Sequence, residues 1–559
     1  MEIGDISLRC AWALVDELVR HGVRHACLSP GSRSTPLALA LARHPSIELQ
    51  IHLDERSSAF VALGLARASR RPVIVACTSG TAAAELFPAV VEASRSRVPL
   101  VLLTADRPPR LRGTGANQTI DQVNLYGSYA DYLEPPVPSG PEDDEAWRAT
   151  GRDAVGGLRR TWQPVQVNCP FEEPLTPSAD VALDASDPGS WAPLETTPLS
   201  DGDGERLVDE LSGARGVAVI GGTWPHDVTD VALGTFERLG LPVLAEPISN
   251  LRRPGTLAAG QSLIADEVWL AEHRPDVVLQ LGATPTTRAT QSFVASAERL
   301  IVADRVHPDP DPEHRATWRL RADLPAVVDA IHALDAPAPD GWLAAWREAD
   351  DHARRAIDAM MDTWDEPFEP RIARVVAAAV PPGSTLVVGS SAPVRDLDLA
   401  MAPRDGISVI ANRGASGIDG TISAAIGVAA ATRRPTTALL GDLTTLHDLG
   451  ALAWNASEIT IDLTLVVVNN GGGHIFSLLP QRDLPEHRDL FVTPHDTDLG
   501  ALCEALSVAY LRVARANELP EALDATRADA GIRLIDVMVA SELGIARRAE
   551  LRSALRSAP

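Results

Sequence analysis

The sequence predicts an α/β fold of three consecutive, doubly wound parallel-sheet domains. Short apolar runs recur along the chain, each stopping at Gly, Asp, Asn or Ser and each followed by a segment with helical spacing. Two stretches rich in Pro and Asp, 181–204 and 336–369, interrupt that alternation and are read as linkers. A chain of 559 residues is long enough for three or four domains of ordinary size. The predicted domains are 1–180, 205–335 and 370–559.

Taken in order, Ser7–His21 reads as a helix and His25–Leu28 as the first strand. Pro30-Gly31-Ser32 is a turn, Ser34 or Thr35 is placed to cap the next helix, and Arg33 sits in the loop, solvated or facing a ligand. Strand Ile47–Leu53 runs into Asp54-Glu55-Arg56 and a small-residue helix, where Glu55 suits the helix dipole without any further role. Strand Val73–Cys77 leads to Thr78-Ser79-Gly80-Thr81, able to hold an anion or cap the following helix. Leu100–Leu103 ends in a long polar loop with Arg107, Asn117 and Gln118, on the side of a sheet where loops carry function. Arg95 and Arg97, beside this strand, read as a surface pair or an effector site.

In the middle stretch, Gly216–Ile220, Val243–Ala245, Val277–Leu281 and the run from Ile301 read as strands. Gly221-Gly222 falls short of a dinucleotide fingerprint, so this domain reads as structural. In the third, strand Thr385–Val388 ends in GSSAPVRD with Ser391 and Arg395, and Ser408–Ala411 ends in NRGASGIDG. A βαβ unit follows: strand Thr437–Leu440, a helix-like Leu446–Asn455, and strand Leu463–Val468 ending in Asn469-Asn470-Gly471-Gly472-Gly473. Ala501–Ala509 reads as a helix and Leu534–Val539 as a strand.

Composition removes several classes of function. Net charge is −25, which argues against general nucleic-acid binding. All 50 basic residues are Arg; without Lys there is no P-loop Lys, no Schiff-base Lys and no Lys nucleophile. The five cysteines are scattered and never spaced C-x-x-C, as in a reducing compartment. The opening MEIGDIS lacks a signal-peptide pattern and no apolar run nears the ~20 residues of a membrane span, so a cytoplasmic protein is expected.

The most informative stretch is the βαβ unit. Asp442 supplies a carboxylate where its first strand ends, Asn469 a neutral oxygen where the second ends, and Gly471 a backbone carbonyl. Three such oxygens suit Mg²⁺, with Mn²⁺ able to replace it, completed by water and phosphate oxygens. The glycines would let backbone N–H groups approach a phosphate. An ordinary strand–helix turn with an Asp N-cap satisfies the same residues. Gly441-Asp442, then about 27 residues, then Asn-Asn resembles the diphosphate and metal motif of thiamine diphosphate enzymes. Leu443 stands where that motif usually has Gly. This departure and NNGGGHIFSLLP are similar to one branch, the 2-succinyl-5-enolpyruvyl-6-hydroxy-3-cyclohexene-1-carboxylate (SEPHCHC) synthases of menaquinone biosynthesis. SPGSRSTPLA, HLDERSSAFVALG and TADRPPRLRGTGANQTIDQ resemble the same family, in the same order.

The resemblance implies a pyrimidine-binding first domain, a central Rossmann-like domain and a diphosphate-binding third domain, the first and third sharing a layout. It implies decarboxylation of 2-oxoglutarate and conjugate addition of the resulting succinyl unit to isochorismate, by a homodimer or homotetramer with active sites shared between subunits. Glu55 takes the catalytic role at the aminopyrimidine. The expected cofactor residues are Glu55, Ser391, Arg413, Gly414, Ser416, Gly417, Ile418, Gly441, Asp442, Leu443, Asn469, Gly472, Ile475 and Phe476, with Asp442, Asn469 and Gly471 on the metal. Ile418 is either the wedge that bends the cofactor or an ordinary core residue. The two substrates carry four carboxylates, which guanidinium forks bind bidentately. The expected substrate residues are Ser32, Arg33, Arg107, Asn117, Gln118, Arg288, Ser391, Arg395, Arg413 and an apolar rim of Ile475, Phe476 and Leu479. Another thiamine diphosphate 2-oxoacid decarboxylase or carboligase, and a non-catalytic relative, are the alternatives.

Overall fold

The structure, a computed structural model, describes residues 2–178, 180–192, 198–222, 229–307, 310–332, 334–453, 460–526 and 530–556. Three sheets are present, and every strand pair described in them is parallel. The first holds β1 (His25–Leu28), β2 (Glu48–Ile51), β3 (Val73–Cys77), β4 (Leu100–Asp106), β5 (Asp131–Leu133) and β6 (Val165–Pro170), in the order β2-β1-β3-β4-β6-β5. The second holds β7 (Gly216–Gly221), β8 (Val243–Ala245), β9 (Val277–Gly282), β10 (Arg299–Ala303) and β11 (Trp318–Leu320), in the order β11-β10-β9-β7-β8. The third holds β12 (Thr385–Val388), β13 (Ser408–Ile410), β14 (Thr436–Gly441), β15 (Asp462–Asn469), β16 (Ala509–Val513) and β17 (Gly531–Met538), in the order β13-β12-β14-β15-β17-β16. Counted from its own first strand, the third sheet repeats the order of the first. In both, the order reverses beside the first strand, so a ligand crevice is expected where β1 meets β3 and where β12 meets β14.

Central strands such as β3 and β4 are buried along their whole length, which is why they read as unbroken apolar runs. By proximity the chain divides into two compact units: Met1–Leu194 with Asn412–Arg433 and Leu446–Asp462, and Glu195–Ala411 with Arg434–Thr445 and Leu463–Pro559. In the first unit the helix Glu55–Ser69 packs on the helix Thr421–Thr432. The contact is backbone to backbone: a Cβ on Gly64 would lie 2.0 Å from the Ala424 carbonyl, and one on Gly427 2.0 Å from that of Val61. In the second unit, Trp342, Trp346, Ile357 and Met361 of the helix Trp342–Asp362 bury against one face of the middle sheet. That helix lies inside the stretch read as the second linker. In the first linker, Trp191 is buried in the first unit's core and Ser186 donates to Asp16.

Two local expectations are corrected. A helix begins at Asp442 and runs only to His447, followed by a 3₁₀ segment Leu449–Ala453; the predicted end at Asn455 lies outside the described residues. The helix expected over 501–509 is Leu499–Ala505, and Ala509 opens the short edge strand β16, whose mostly exposed residues follow no in–out alternation. Among the described residues no helix is long and apolar enough to cross a membrane.

Candidate functional site

The candidate residues fall into two groups, one in each compact unit. In the second unit, β12, β14 and β15 are neighbours, so their ends bring Ser391, Asp442 and Asn469 to one edge of the sheet. Asp442 is buried, yet each of its carboxylate oxygens receives only a backbone amide: Oδ1 from Leu443 at 2.6 Å, Oδ2 from Gly472 at 2.9 Å. The His495 ring nitrogen Nε2 lies 3.4 Å from Oδ2. Burial pushes the Asp442 carboxyl above its ordinary range, against the pull of those amides and of His495. Asn469 Oδ1 accepts the Gly471 N–H at 3.3 Å, and the Gly471 carbonyl accepts the His495 N–H at 3.3 Å. Carboxylate, amide and carbonyl oxygens that each keep acceptor capacity fit a hard divalent cation. Among the described residues no group of three His, Cys, Asp or Glu competes as a metal cluster.

Gly471 (φ 75°) and Gly472 (φ 148°) lie in the region that favours glycine, and a Cβ on Gly472 would meet the Val492 carbonyl at 2.5 Å. The amides of these glycines are engaged within the turn. Gly471 N–H binds Asn469, Gly472 N–H binds Asp442, and Gly473 N–H binds the Val492 carbonyl at 2.7 Å. The turn folds back on its own strand ends, so its amides build the oxygen cluster. Ser391 (φ 72°) is the N-cap of the helix Ala392–Ala400, which has no side-chain cap; its carbonyl accepts Arg395 Nη1. That uncapped terminus suits an anion. Ile475 and Phe476 lie half-buried on the 3₁₀ turn His474–Leu478, with Phe476 against Phe491 (centroids 5.7 Å apart) and Leu479 partly exposed. Gly441 and Leu443 flank Asp442; Arg288 opens a helix after β9 and is exposed.

In the first unit, Glu55 is half-buried at the first position of its helix, capped by Asp54, which accepts the Ser57 N–H at 3.0 Å. Arg33 and Arg107 are buried. Arg33 donates to the Phe171 carbonyl at 3.0 Å and to Glu173 at 2.8 Å. Arg107 donates to Ser79 Oγ and to the Gln118 carbonyl at 2.8 Å, while Gln118 Nε2 reaches the Ser79 carbonyl at 3.0 Å. Burial and the nearby Arg33 guanidinium lower the pKa of Arg107. Two neighbouring guanidiniums at the β1/β3 crevice attract a carboxylate. Ser32 and Asn117 are exposed; the Ser34 hydroxyl turns back to the Gly31 carbonyl instead of capping its helix. Gln122, which the sequence did not single out, bridges Gly80 N–H at 2.9 Å and Asn168 Oδ1 at 3.1 Å. Asn168 in turn donates to the buried Asp106 at 2.9 Å, at the foot of the Arg107 loop. The loop 412–420 also belongs to this unit. It carries Arg413, Gly414, Ser416 (φ 61°), Gly417 and Ile418, whose carbonyl accepts the Thr421 hydroxyl at 3.0 Å.

Two thiamine pyrophosphate enzyme models match: the N-terminal TPP binding domain over residues 8–125 and the C-terminal TPP binding domain over 399–537. Curated relatives match nearly the whole chain. Proteins named 2-succinyl-5-enolpyruvyl-6-hydroxy-3-cyclohexene-1-carboxylate synthase are 41% identical in Saccharopolyspora erythraea (97% of this chain, 96% of the relative). Those of Thermobifida fusca and Chloroflexus aurantiacus are 41% identical (99% and 98%) and 38% identical (94% and 92%). With two sheets of one topology, an oxygen cluster at the end of β14 and β15, and this kinship along its length, the chain belongs to the SEPHCHC synthase family of thiamine diphosphate enzymes.

Proposed function

We propose that this protein is a SEPHCHC synthase that decarboxylates 2-oxoglutarate and adds the succinyl unit to isochorismate, on thiamine diphosphate held through Mg²⁺ or Mn²⁺. The observation that carries the reading is the convergence of Asp442, Asn469 and Gly471 oxygens at the β14/β15 ends. Asp442, Asn469 and the Gly471 carbonyl would hold the metal, with Gly441, Leu443, Gly472 and the Ser391 helix terminus around the diphosphate. Ser416, Gly417 and Ile418 would seat the rings, and the small residues of that loop permit a close approach.

When bound, thiamine diphosphate supplies the carbon that takes up the 2-oxo carbonyl and the electron sink that lets CO₂ leave. Glu55 holds a proton at the aminopyrimidine, acting as a positioned acid–base. Arg33, Arg107, Arg395, Arg413 and Arg288, with Ser32, Asn117, Gln118 and Ser391, bind and orient the carboxylates of the two substrates. Ile475, Phe476 and Leu479 exclude water while the second substrate is awaited.

We assign the pyrimidine-binding role to 1–180 and the diphosphate-binding role to 370–559, in a homodimer or homotetramer whose active sites pair Glu55 of one subunit with Asp442 of another. Five cysteines that are all free and buried support a reducing, cytoplasmic location. Product analysis tests the activity. With both substrates, 2-oxoglutarate should be consumed with stoichiometric CO₂ and SEPHCHC. Equal CO₂ release without isochorismate, and no joined product, would indicate a plain decarboxylase instead.

A further inference from the structure

Glu92 has no part in the chemistry above, yet it grips the loop that does. It lies on the helix Phe87–Ser96 and is 3% exposed. Its Oε1 accepts the Gly414 N–H at 2.8 Å and Arg67 Nη2 at 3.1 Å; its Oε2 accepts the Ala415 N–H at 2.7 Å. Two successive amides turned onto one carboxylate form an anion nest, here filled by a side chain of the same unit. Hydrogen bonds to an ionised acceptor are about twice as strong as neutral ones, and the buried Arg67 supplies the opposite charge. Arg67 also donates to Ser96 Oγ at 2.6 Å, and that hydroxyl donates to the Glu92 carbonyl at 2.6 Å. The grip needs a glycine: a Cβ on Gly414 would lie 2.6 Å from the Glu92 carbonyl and 2.9 Å from Arg95 Cβ.

The fixed amides are those of residues 414 and 415. On either side of them stand Arg413 and Ser416, with Ile418 beyond. Arg413 and Ile418 remain half-buried and Ser416 exposed. The loop is therefore tied down through its backbone. We propose that Glu92 is a positioning residue: it sets the geometry at which Arg413 and Ile418 meet substrate and cofactor. This inference rests on the reading of the 413–418 loop given under Proposed function. Misplacement of about 1 Å at such a loop costs rate out of proportion to stability.

The test compares Glu92→Gln, Gly414→Ala, Arg413→Met and the double variant Glu92→Gln/Arg413→Met in the cofactor-loaded enzyme. Glu92→Gln keeps the shape but turns an NH₂ group toward an amide or the guanidinium. Below the unfolding transition it should lower kcat about tenfold and weaken thiamine diphosphate binding, read by calorimetry, about tenfold. The double variant should lose less than the product of the single losses. Gly414→Ala pushes the loop off an intact Glu92 and should reproduce the same two losses; it decides the matter if Glu92→Gln fails to fold. Wild-type kcat and cofactor affinity in folded Glu92→Gln or in Gly414→Ala, with only a lower Tm, would overturn the positioning role. Wild-type kinetics in Arg413→Met would instead overturn the loop reading on which it rests.

Discussion

Asp442 illustrates how much a single side chain is asked to do. It is a buried carboxylate whose two oxygens are met only by amides and an imidazole edge, so burial raises its pKa. A divalent cation would offset that desolvation. Glu55, by contrast, opens a helix and is half-buried. Glu55→Gln should lower kcat by about 10²–10⁴-fold while cofactor affinity, measured by calorimetry, changes far less. A Gln variant with near wild-type kcat would remove Glu55 from the chemistry. The residues of the oxygen cluster at the β14 and β15 ends were legible because they are local: each sits where an apolar run stops. His495 and Gln122 were not, because they reach the site from loops that carry no periodic signal and gain meaning only from what they touch. Arg33 and Arg107 were singled out, but their anchors Glu173 and Ser79 were not tied to them, since sequence separation hides such pairs.

Among the elements, most strands carried a readable apolar run, the edge strands β2, β8 and β13 included, whereas the edge strands β5, β11 and β16 did not. β3, β8 and β12 match their apolar runs residue for residue, whereas β11 and β16 are short, partly exposed strands at sheet edges, without the alternation that marks a half-buried strand. Helix-to-helix contact was foreshadowed by Gly64 and its small neighbours. Gly64→Ala would gain up to about 1 kcal/mol of helix propensity. Its Cβ would nevertheless sit 2.0 Å from the Ala424 carbonyl, so a net loss of about 1–3 kcal/mol is expected from denaturant unfolding. Unchanged stability would mean that this interface yields easily.

A second element-scale prediction concerns pH. Asp396, on the helix Ala392–Ala400, is buried against Arg548, with Oδ1 and Nη2 2.6 Å apart. Burial pushes its carboxyl up to about 6, against the pull of Arg548, and Glu369 adds to the rise. The folded value lies above the unfolded one of about 3.9. Its stabilising contribution is therefore complete below that value and lost as pH rises through about 6. The Tm of wild type relative to Asp396→Asn should fall between pH 4 and pH 7, by thermal melts of both proteins. A constant difference would contradict the assignment.

For the molecule as a whole, the repeated strand order of the first and third sheets is the feature that matters most. It gives the chain two like strand-order reversals, with the buried Arg33 and Arg107 in loops of the first unit and the Asp442, Asn469 and Gly471 oxygens at the β14 and β15 ends of the second. The alternation of strand and helix predicted the α/β class, but strand order depends on which apolar faces meet, and no local pattern records that. If active sites are shared between subunits, inactive Glu55→Gln and Asp442→Ala homodimers should complement: a verified mixed dimer regains one intact site and about half the wild-type rate. No recovery would argue for sites contained within one chain.

The proposed metal tether of the diphosphate at the ends of β14 and β15 is tested most directly by calorimetric titration of thiamine diphosphate into wild type and Asp442→Ala, each with and without Mg²⁺. Tight binding is expected only for wild type with the metal present. Equal binding without Mg²⁺, or equal binding by the variant, would contradict it.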